Sequence, residues 1–235
     1  MSEKKTRSSG GEAGRSLIDS FRESDHPMVS IARDVLWAVA VVAVIALVLF
    51  LVSGTWPAVV AIESESMVPN MNVGDLVFVV APDRFGPLQT WEDGQASGYL
   101  KYNDYGDVVI YRPNGADSVH PIIHRALMWV EANETVPMSF ENGFSTTYTA
   151  PHEGYITKGD NNPVPDQVVS YPGLGQIEPV REEWVVGKAL FAVPLLGYLP
   201  LHLIEVAVVI VVLMILWDIV VERRKSDQKT GKKRK

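Results

Sequence analysis

Three short segments of this chain carry side chains of the types that acyl transfer uses. The first is Ser64-Glu65-Ser66-Met67-Val68-Pro69-Asn70-Met71, followed by the turn signal Gly74-Asp75. The second is Pro121-Ile122-Ile123-His124-Arg125, a histidine and an arginine set in an apolar run. The third, residues 157–166, holds the carboxylates of Asp160 and Asp166 and the amides of Asn161 and Asn162. A serine hydroxyl is a poor nucleophile until a neighbouring base accepts its proton, and a third group must fix that base's tautomer. Histidine, with a reference pKa of about 6.5, suits the base role at neutral pH. Of the five histidines, His26 lies in the leader, His152 in a turn and His202 at a second apolar run. His120 and His124 remain. His124 lies deeper in the apolar run, whereas His120, beside Pro121, reads as a strand-entry residue. Most domains contain Ser, His and Asp, and a strand histidine is more often a packed core residue than a base. Residue types alone therefore assign no role, and Glu65 between the two serines suggests none.

These segments need a rigid scaffold, and the region that contains them reads as β-rich. Short β-branched runs recur at 73–80, 107–111, 122–130, 154–157 and 184–186, separated by stretches rich in Pro, Gly, Asn and Asp. Across 57–188 there is no helical periodicity of useful length and no repeat. Residues 82–105 are the least patterned; Trp91, Tyr99, Tyr102 and Tyr105 there suggest a loop packed on itself or lying at a membrane surface.

Apolar runs flank this region. Residues 35–52 are eighteen positions without a charge, close to the roughly 20 residues that cross a bilayer core. A cleavable signal sequence is disfavoured by the long leader, the long apolar run and the lack of an Ala-x-Ala site. The second run, 201–221, has Glu205 and Asp218 near its ends, where a membrane charge costs least. Beyond it come Arg223-Arg224-Lys225 and Lys232-Lys233-Arg234-Lys235, and a basic cluster past a span marks the cytoplasmic side. The expected organisation is a polar, disordered cytoplasmic leader (1–33), a transmembrane helix (34–54), an extracytoplasmic β-rich domain (55–200), a second transmembrane helix (201–221) and a basic cytoplasmic tail (222–235). Both termini are then cytoplasmic.

Charge sharpens this. The chain carries −7 overall, but residues 56–188 hold seven basic and eighteen acidic side chains. So acidic a domain argues against nucleic-acid binding, which needs a basic face, and suits a high-salt environment that screens like charges. With no cysteine, disulfides and thiolate metal sites are unavailable.

Taken in order, Ser66-Met67-x-Pro69, Gly106-Asp107-Val108-Val109-Ile110-Tyr111-Arg112, His124-Arg125 and Gly159-Asp160-Asn161-Asn162 with Asp166 resemble the motif boxes of type I signal peptidases. Gly187-Lys188-Ala189-Leu190-Phe191 resembles that family's closing segment, and the likeness spans roughly residues 35–200. Histidine stands where the bacterial branch has a lysine base, which is the pattern of the archaeal and endoplasmic-reticulum branch; Lys101, Lys158 and Lys188 fall elsewhere. The resemblance implies a mainly β, signal-peptidase-like catalytic domain; the two flanking transmembrane α-helices come from hydropathy, and the second of them, like the long leader, residues 82–105 and the basic tail, departs from the family pattern. It implies a membrane-anchored serine endopeptidase that cuts signal peptides from exported preproteins and uses neither cofactor nor metal. It makes Ser66 the nucleophile, His124 the general base and Asp166 the group orienting the imidazole. Asp160 is a second important carboxylate, either catalytic or bracing its loop, and the Ser64 hydroxyl joins the Ser66 N–H in an oxyanion hole. Expected partners are preproteins bound as extended strands, the lipid bilayer and the secretion channel, with Met67 and its apolar neighbours at the bilayer surface. The rival reading is a non-catalytic membrane protein whose outer domain, of the same fold, binds a partner.

Overall fold

The computed structural model describes residues 27–139, 143, 145–202, 204, 205, 208, 209, 212, 213, 216 and 217. The chain divides into two units, Met1–Val52 and Ser53–Lys235. Helix α1 (Pro27–Ser53) accounts for the described part of the first. Proline suits the first helical turn because its missing N–H would find no intrahelical acceptor there. The apolar portion, Ile31–Ser53, is 23 residues long, and at about 1.5 Å per residue it can cross a hydrocarbon core of roughly 30 Å. Val35, Leu36, Val44 and Ile45 project to four different sides of the helix and are all exposed. A helix apolar all round needs an apolar surround. It starts seven residues before the expected span, because the polar turn carrying Ser30, Arg33 and Asp34 continues the helix beyond the apolar run.

In the second unit the chain forms β1 (Val59–Ala61), β2 (Leu76–Val80), α2 (Trp91–Ser97), β3 (Leu100–Lys101), β4 (Asp104–Tyr105), β5 (Val108–Tyr111), β6 (Ile122–Val130), β7 (Thr135–Ser139), β8 (Ser145–Thr149), β9 (Gly154–Lys158), β10 (Ser170–Tyr171), β11 (Gly175–Gln176), β12 (Val185–Val193) and α3 (Tyr198–Leu201). One sheet has the order β1-β2-β12-β5-β6-β9, and the pairs β3–β4, β7–β8 and β10–β11 are separate hairpins. All of these pairings are antiparallel.

Strand β5 reads as an unbroken apolar run because both of its faces are covered. Val108 and Ile110 pack with Ile62, Met67, Met71, Val77 and Val79 on one side. Val109 and Tyr111 pack with Ala126 and Val180 on the other. A third cluster, with Val136, Met138 and Ile156, seats the β7–β8 hairpin. Fully burying one such side chain contributes about 1.5–3 kcal/mol. Met67 is 1 % exposed. It therefore belongs to the core and not to a bilayer surface, and it anchors the residue beside Ser66.

The mainly β expectation holds, with three local differences. Segment 82–105 contains helix α2, opened by a capping box between Thr90 and Asp93 and closed by Gly98 in the left-handed conformation. Seven residues are too few for a periodic signal. Strand β7 contains Pro137 and β8 is the polar run Ser-Thr-Thr-Tyr-Thr, so only their mutual pairing and the burial of Val136 and Met138 make them strands. Strand β12 continues through the segment 187–191 to Val193, pairing with β2 over its second half. The expected leader (1–33) lies largely outside the described residues, the expected second span (201–221) does so in greater part, and the basic tail (222–235) does so entirely.

Candidate active site

Ser66 sits in a loop between β1 and β2. Two backbone bonds close the loop's base, Ile62 N–H to the Asp75 carbonyl and Gly74 N–H to the Ile62 carbonyl, both 2.9 Å. Inside it, Val68 N–H reaches the Glu65 carbonyl and Met71 N–H the Met67 carbonyl. The Gly159–Asn162 loop then clasps this turn from outside. Asn161 N–H donates to the Ser66 carbonyl at 2.8 Å, its side-chain amide donates to the Glu65 carbonyl at 3.1 Å, and Asp160 N–H meets Met67 Sδ at 3.4 Å. Glu65 thus serves through its backbone. Gly159 has to be glycine for contact, not for φ: a Cβ there would lie 2.6 Å from the Ser66 carbonyl oxygen.

His124 and Arg125 are neighbours on β6, paired with Val109 and Val108 of β5. Successive strand residues project to opposite faces. His124 therefore meets Asp166 on one face, and Arg125 meets Asp160 on the other. The two expected carboxylates have different partners for this reason.

On the His124 face, Asp166 Oδ2 lies 2.7 Å from His124 Nδ1. The same oxygen accepts Tyr111 Oη at 2.9 Å and Thr157 Oγ1 at 2.7 Å. Strands β5, β6 and β9 each supply one of these partners. Asp166 itself opens a short 3₁₀ turn, Asp166–Val168. Gln167 fixes that turn by accepting from Thr157 N–H at 3.0 Å. Burial first, and the Asp166 carboxylate second, push the Tyr111 phenol well above its ordinary pKa, so Tyr111 remains a donor at neutral pH. An acceptor-only carboxylate at Nδ1 selects the tautomer whose Nε2 is free to take a proton.

On the opposite face Arg125 is 1 % exposed. Its guanidinium binds Asp160 in bidentate fashion, Nε to Oδ1 at 2.8 Å and Nη2 to Oδ2 at 2.6 Å. Nη1 also donates to the carbonyls of Lys101, Tyr105 and Gly106, which orders the segment that lacked any pattern in sequence. Asn70 donates to Asp160 Oδ2 at 2.7 Å, tying the pair to the Ser66 loop.

Strand β9 pairs with β6 only from Arg125 onward, so Ile122 to His124 have an open side. A groove of about 470 Å³ lies there, lined by Val60 to Ser64, Ser66, Ile110, His120, Ile122 to His124, Asn162 and Tyr171. Ser64, Ser66 and His124 are thus brought to one cleft, with exposed His120 on its rim. Ser66 Oγ shares a 3.2 Å hydrogen bond with Ser64 Oγ and has none to the imidazole. Such contacts commonly tighten only when substrate binds. Among the described residues no group of three or more His, Asp or Glu is arranged to hold a metal ion.

The reading from sequence missed Tyr111, Thr157, Asn70 and Arg125 as supporting groups. Tyr111 and Thr157 did lie within the motif-bearing segments, but nothing in their spacing pointed to Asp166. The Gly106–Arg112 and Gly187–Phe191 segments prove structural neighbours: buried Asp107 accepts from Gln89 N–H and Tyr99 Oη and lies 3.6 Å from Lys188 Nζ. Burial, then the bond to Asp107, pushes the Tyr99 phenol up to about 12.

The catalytic subunit SEC11 of the signal peptidase complex from Schizophyllum commune is 31 % identical over 150 residues, 63 % of this chain and 65 % of the relative. SEC11 of Aspergillus oryzae is 31 % identical over 147 residues, 63 % and 65 % of the two chains. SEC11 of Paracoccidioides brasiliensis is 28 % identical over 163 residues, 67 % and 72 %. The chain is a homologue of SEC11-type signal peptidase catalytic subunits. It spans about two thirds of the length of these curated relatives. No protein-family model matches it. The relatives named are fungal, which supports the endoplasmic-reticulum half of the expected branch and not the archaeal half. In this chain serine, histidine and two aspartates stand around one clasped loop.

Proposed function

We propose that this chain is a membrane-anchored serine endopeptidase that removes signal peptides from preproteins, with Ser66 as nucleophile, His124 as general base and Asp166 orienting the imidazole. The carrying observation is the 2.7 Å His124–Asp166 pair beside a groove that also admits Ser66. His124 Nε2 takes the Ser66 proton as Oγ attacks the scissile carbonyl, and then hands it to the departing amine. Water, activated by the same nitrogen, releases the acyl group from Ser66. The Ser66 N–H and the Ser64 hydroxyl stabilise the oxyanion. An extended substrate adds beside β1, where Val60, Ile62, Ile110 and Ile123 offer apolar walls suited to small side chains. Asp160 acts by bracing, through Arg125 and Asn70, and not in proton transfer.

The topology belongs to the same proposal. Helix α1 and the 201–221 segment both span the bilayer, the termini are cytoplasmic, and the acidic domain faces outward, where preproteins leave the secretion channel. The homology to subunits of a complex supports further subunits as partners.

Incubating the purified full-length chain in liposomes with labelled preproteins tests the activity. The expected result is a single cut after a small residue. Failure across a panel of preproteins would leave the non-catalytic, partner-binding alternative. Two variants refine it. Ser64→Ala is expected to lower kcat by about 10²–10³, the usual effect of losing one oxyanion donor; an unchanged kcat assigns Ser64 to turn structure. Gly159→Ala is expected to cost about 10²-fold in kcat/KM, since the added Cβ displaces the Ser66 carbonyl and a shift of about 1 Å has that effect. Full activity in Gly159→Ala would show that the clasp does not set the position of Ser66.

A further inference from the structure

We propose that Asn133 is a site of N-linked glycosylation, modified by a membrane oligosaccharyltransferase from a lipid-linked oligosaccharide. The inference rests on the outward orientation proposed for the domain. Of the eight asparagines in the chain, only Asn133, in Asn133-Glu134-Thr135, is followed at the second position by serine or threonine. Its intervening residue is not proline.

The fold places this tripeptide where such chemistry requires. It lies in the turn between β6 and β7, and residues 131–135 are all exposed. Asn133 has φ +64, a conformation that asparagine tolerates better than most residues. The backbone is fixed, with Asn133 N–H on the Ala150 carbonyl at 2.8 Å and Glu134 N–H on the Glu131 carbonyl at 3.1 Å. The Asn133 carboxamide makes no hydrogen bond with the described residues. By contrast, Asn70, Asn114 and Asn161 each use theirs to hold the fold. Thr135 Oγ1 contacts Thr149 Oγ1 at 2.9 Å on an exposed face, so it stays open to recognition.

In the reaction the Asn133 Nδ2 attacks the anomeric carbon of the lipid-linked sugar. The C1–O bond to the lipid phosphate breaks, the new bond is Nδ2–C1, and the amide proton leaves to a base on the transferase. Electrons go out with the lipid phosphate, and no oxidant or reductant is needed. His124 and Val130 are six positions apart along β6, about 20 Å at 3.4 Å per residue, and Asn133 lies beyond. A glycan there leaves the groove clear.

The test uses full-length protein isolated from its own membranes. Mass spectrometry of the peptide bearing Asn133 is expected to find a hexose-containing adduct, and chemical deglycosylation to increase gel mobility. Asn133→Asp, which tolerates the same φ, and Thr135→Ala should each abolish the adduct, while Thr135→Ser keeps it. Preprotein cleavage should stay within twofold in all three. Since the chain lacks cysteine, Ser118→Cys at an exposed position reports orientation through a membrane-impermeant maleimide. Labelling from outside with an unmodified Asn133 overturns this proposal alone. Labelling only from the cytoplasmic side overturns the outward orientation, and this proposal with it.

Discussion

Ser66→Ala and His124→Ala are each expected to lower kcat/KM for preprotein cleavage by about four to six orders of magnitude, with the fold intact. The size follows from how such groups act together. Without the serine no acyl intermediate forms; without the imidazole the serine keeps its proton, so either loss removes nearly the whole covalent route. What remains is binding and the oxyanion donors, worth roughly 10³–10⁴ over water. The double variant Ser66→Ala/His124→Ala should therefore be no worse than either single one. Asp166→Asn is expected to cost about 10⁴, because an amide beside Nδ1 no longer enforces the productive tautomer. Tyr111 and Thr157, which donate to the same Asp166 oxygen, would then face a changed partner, so circular dichroism must accompany the kinetics. His124→Lys is expected to fail as well, since a neighbouring carboxylate holds a lysine in its charged form. Single-turnover cleavage of a labelled preprotein measures all of these. A His124→Ala enzyme within tenfold of wild type would remove histidine from the mechanism.

The second large effect is on stability. Arg125→Met and Asp160→Asn are each expected to destabilise the domain by about 3–5 kcal/mol, the usual result of leaving one partner of a buried ion pair uncompensated. Arg125 is almost wholly buried and makes its bidentate contact with Asp160 while also bonding three backbone carbonyls. Its loss should therefore loosen both the 100–106 segment and the Ser66 loop, the latter through Asn70. Denaturant titration of the detergent-solubilised chain, followed by tryptophan fluorescence, reads the change. The same measurement separates two roles for Asp160. If Asp160→Asn keeps full stability and loses activity by 10³ or more, Asp160 takes part in the chemistry and the bracing role assigned above is wrong.

The contrast between Asp160 and Asp166 shows what could be read from the chain alone. The loop at 157–166 was recognisable, and both carboxylates were named. Their division of labour was not, because it depends on which face of β6 each one meets. That follows from the pairing of His124 with Val109 and Arg125 with Val108, a relation between residues far apart in sequence. Helix α2 and the hairpin β7–β8 were illegible for a related reason. The helix is short and stands on a cap, and the strands are polar, so their order comes from long-range bonds and from the core beneath Val136 and Met138.

By itself the sequence determined the apolar helix near the N-terminus and the acidic β-rich domain after it, and through a resemblance of short motifs it offered Ser66, His124 and Asp166 as candidates. These are local properties: hydropathy, alternation and the residue types a short motif displays. Only the tertiary structure decided that Ser66 and His124 share one groove, that Asp166 gathers donors from three strands, and that Gly159 and Asn161 clasp the serine loop. Those outcomes require strands distant in sequence to pair in one register, and it is the pairing, not any segment alone, that sets which side chains meet.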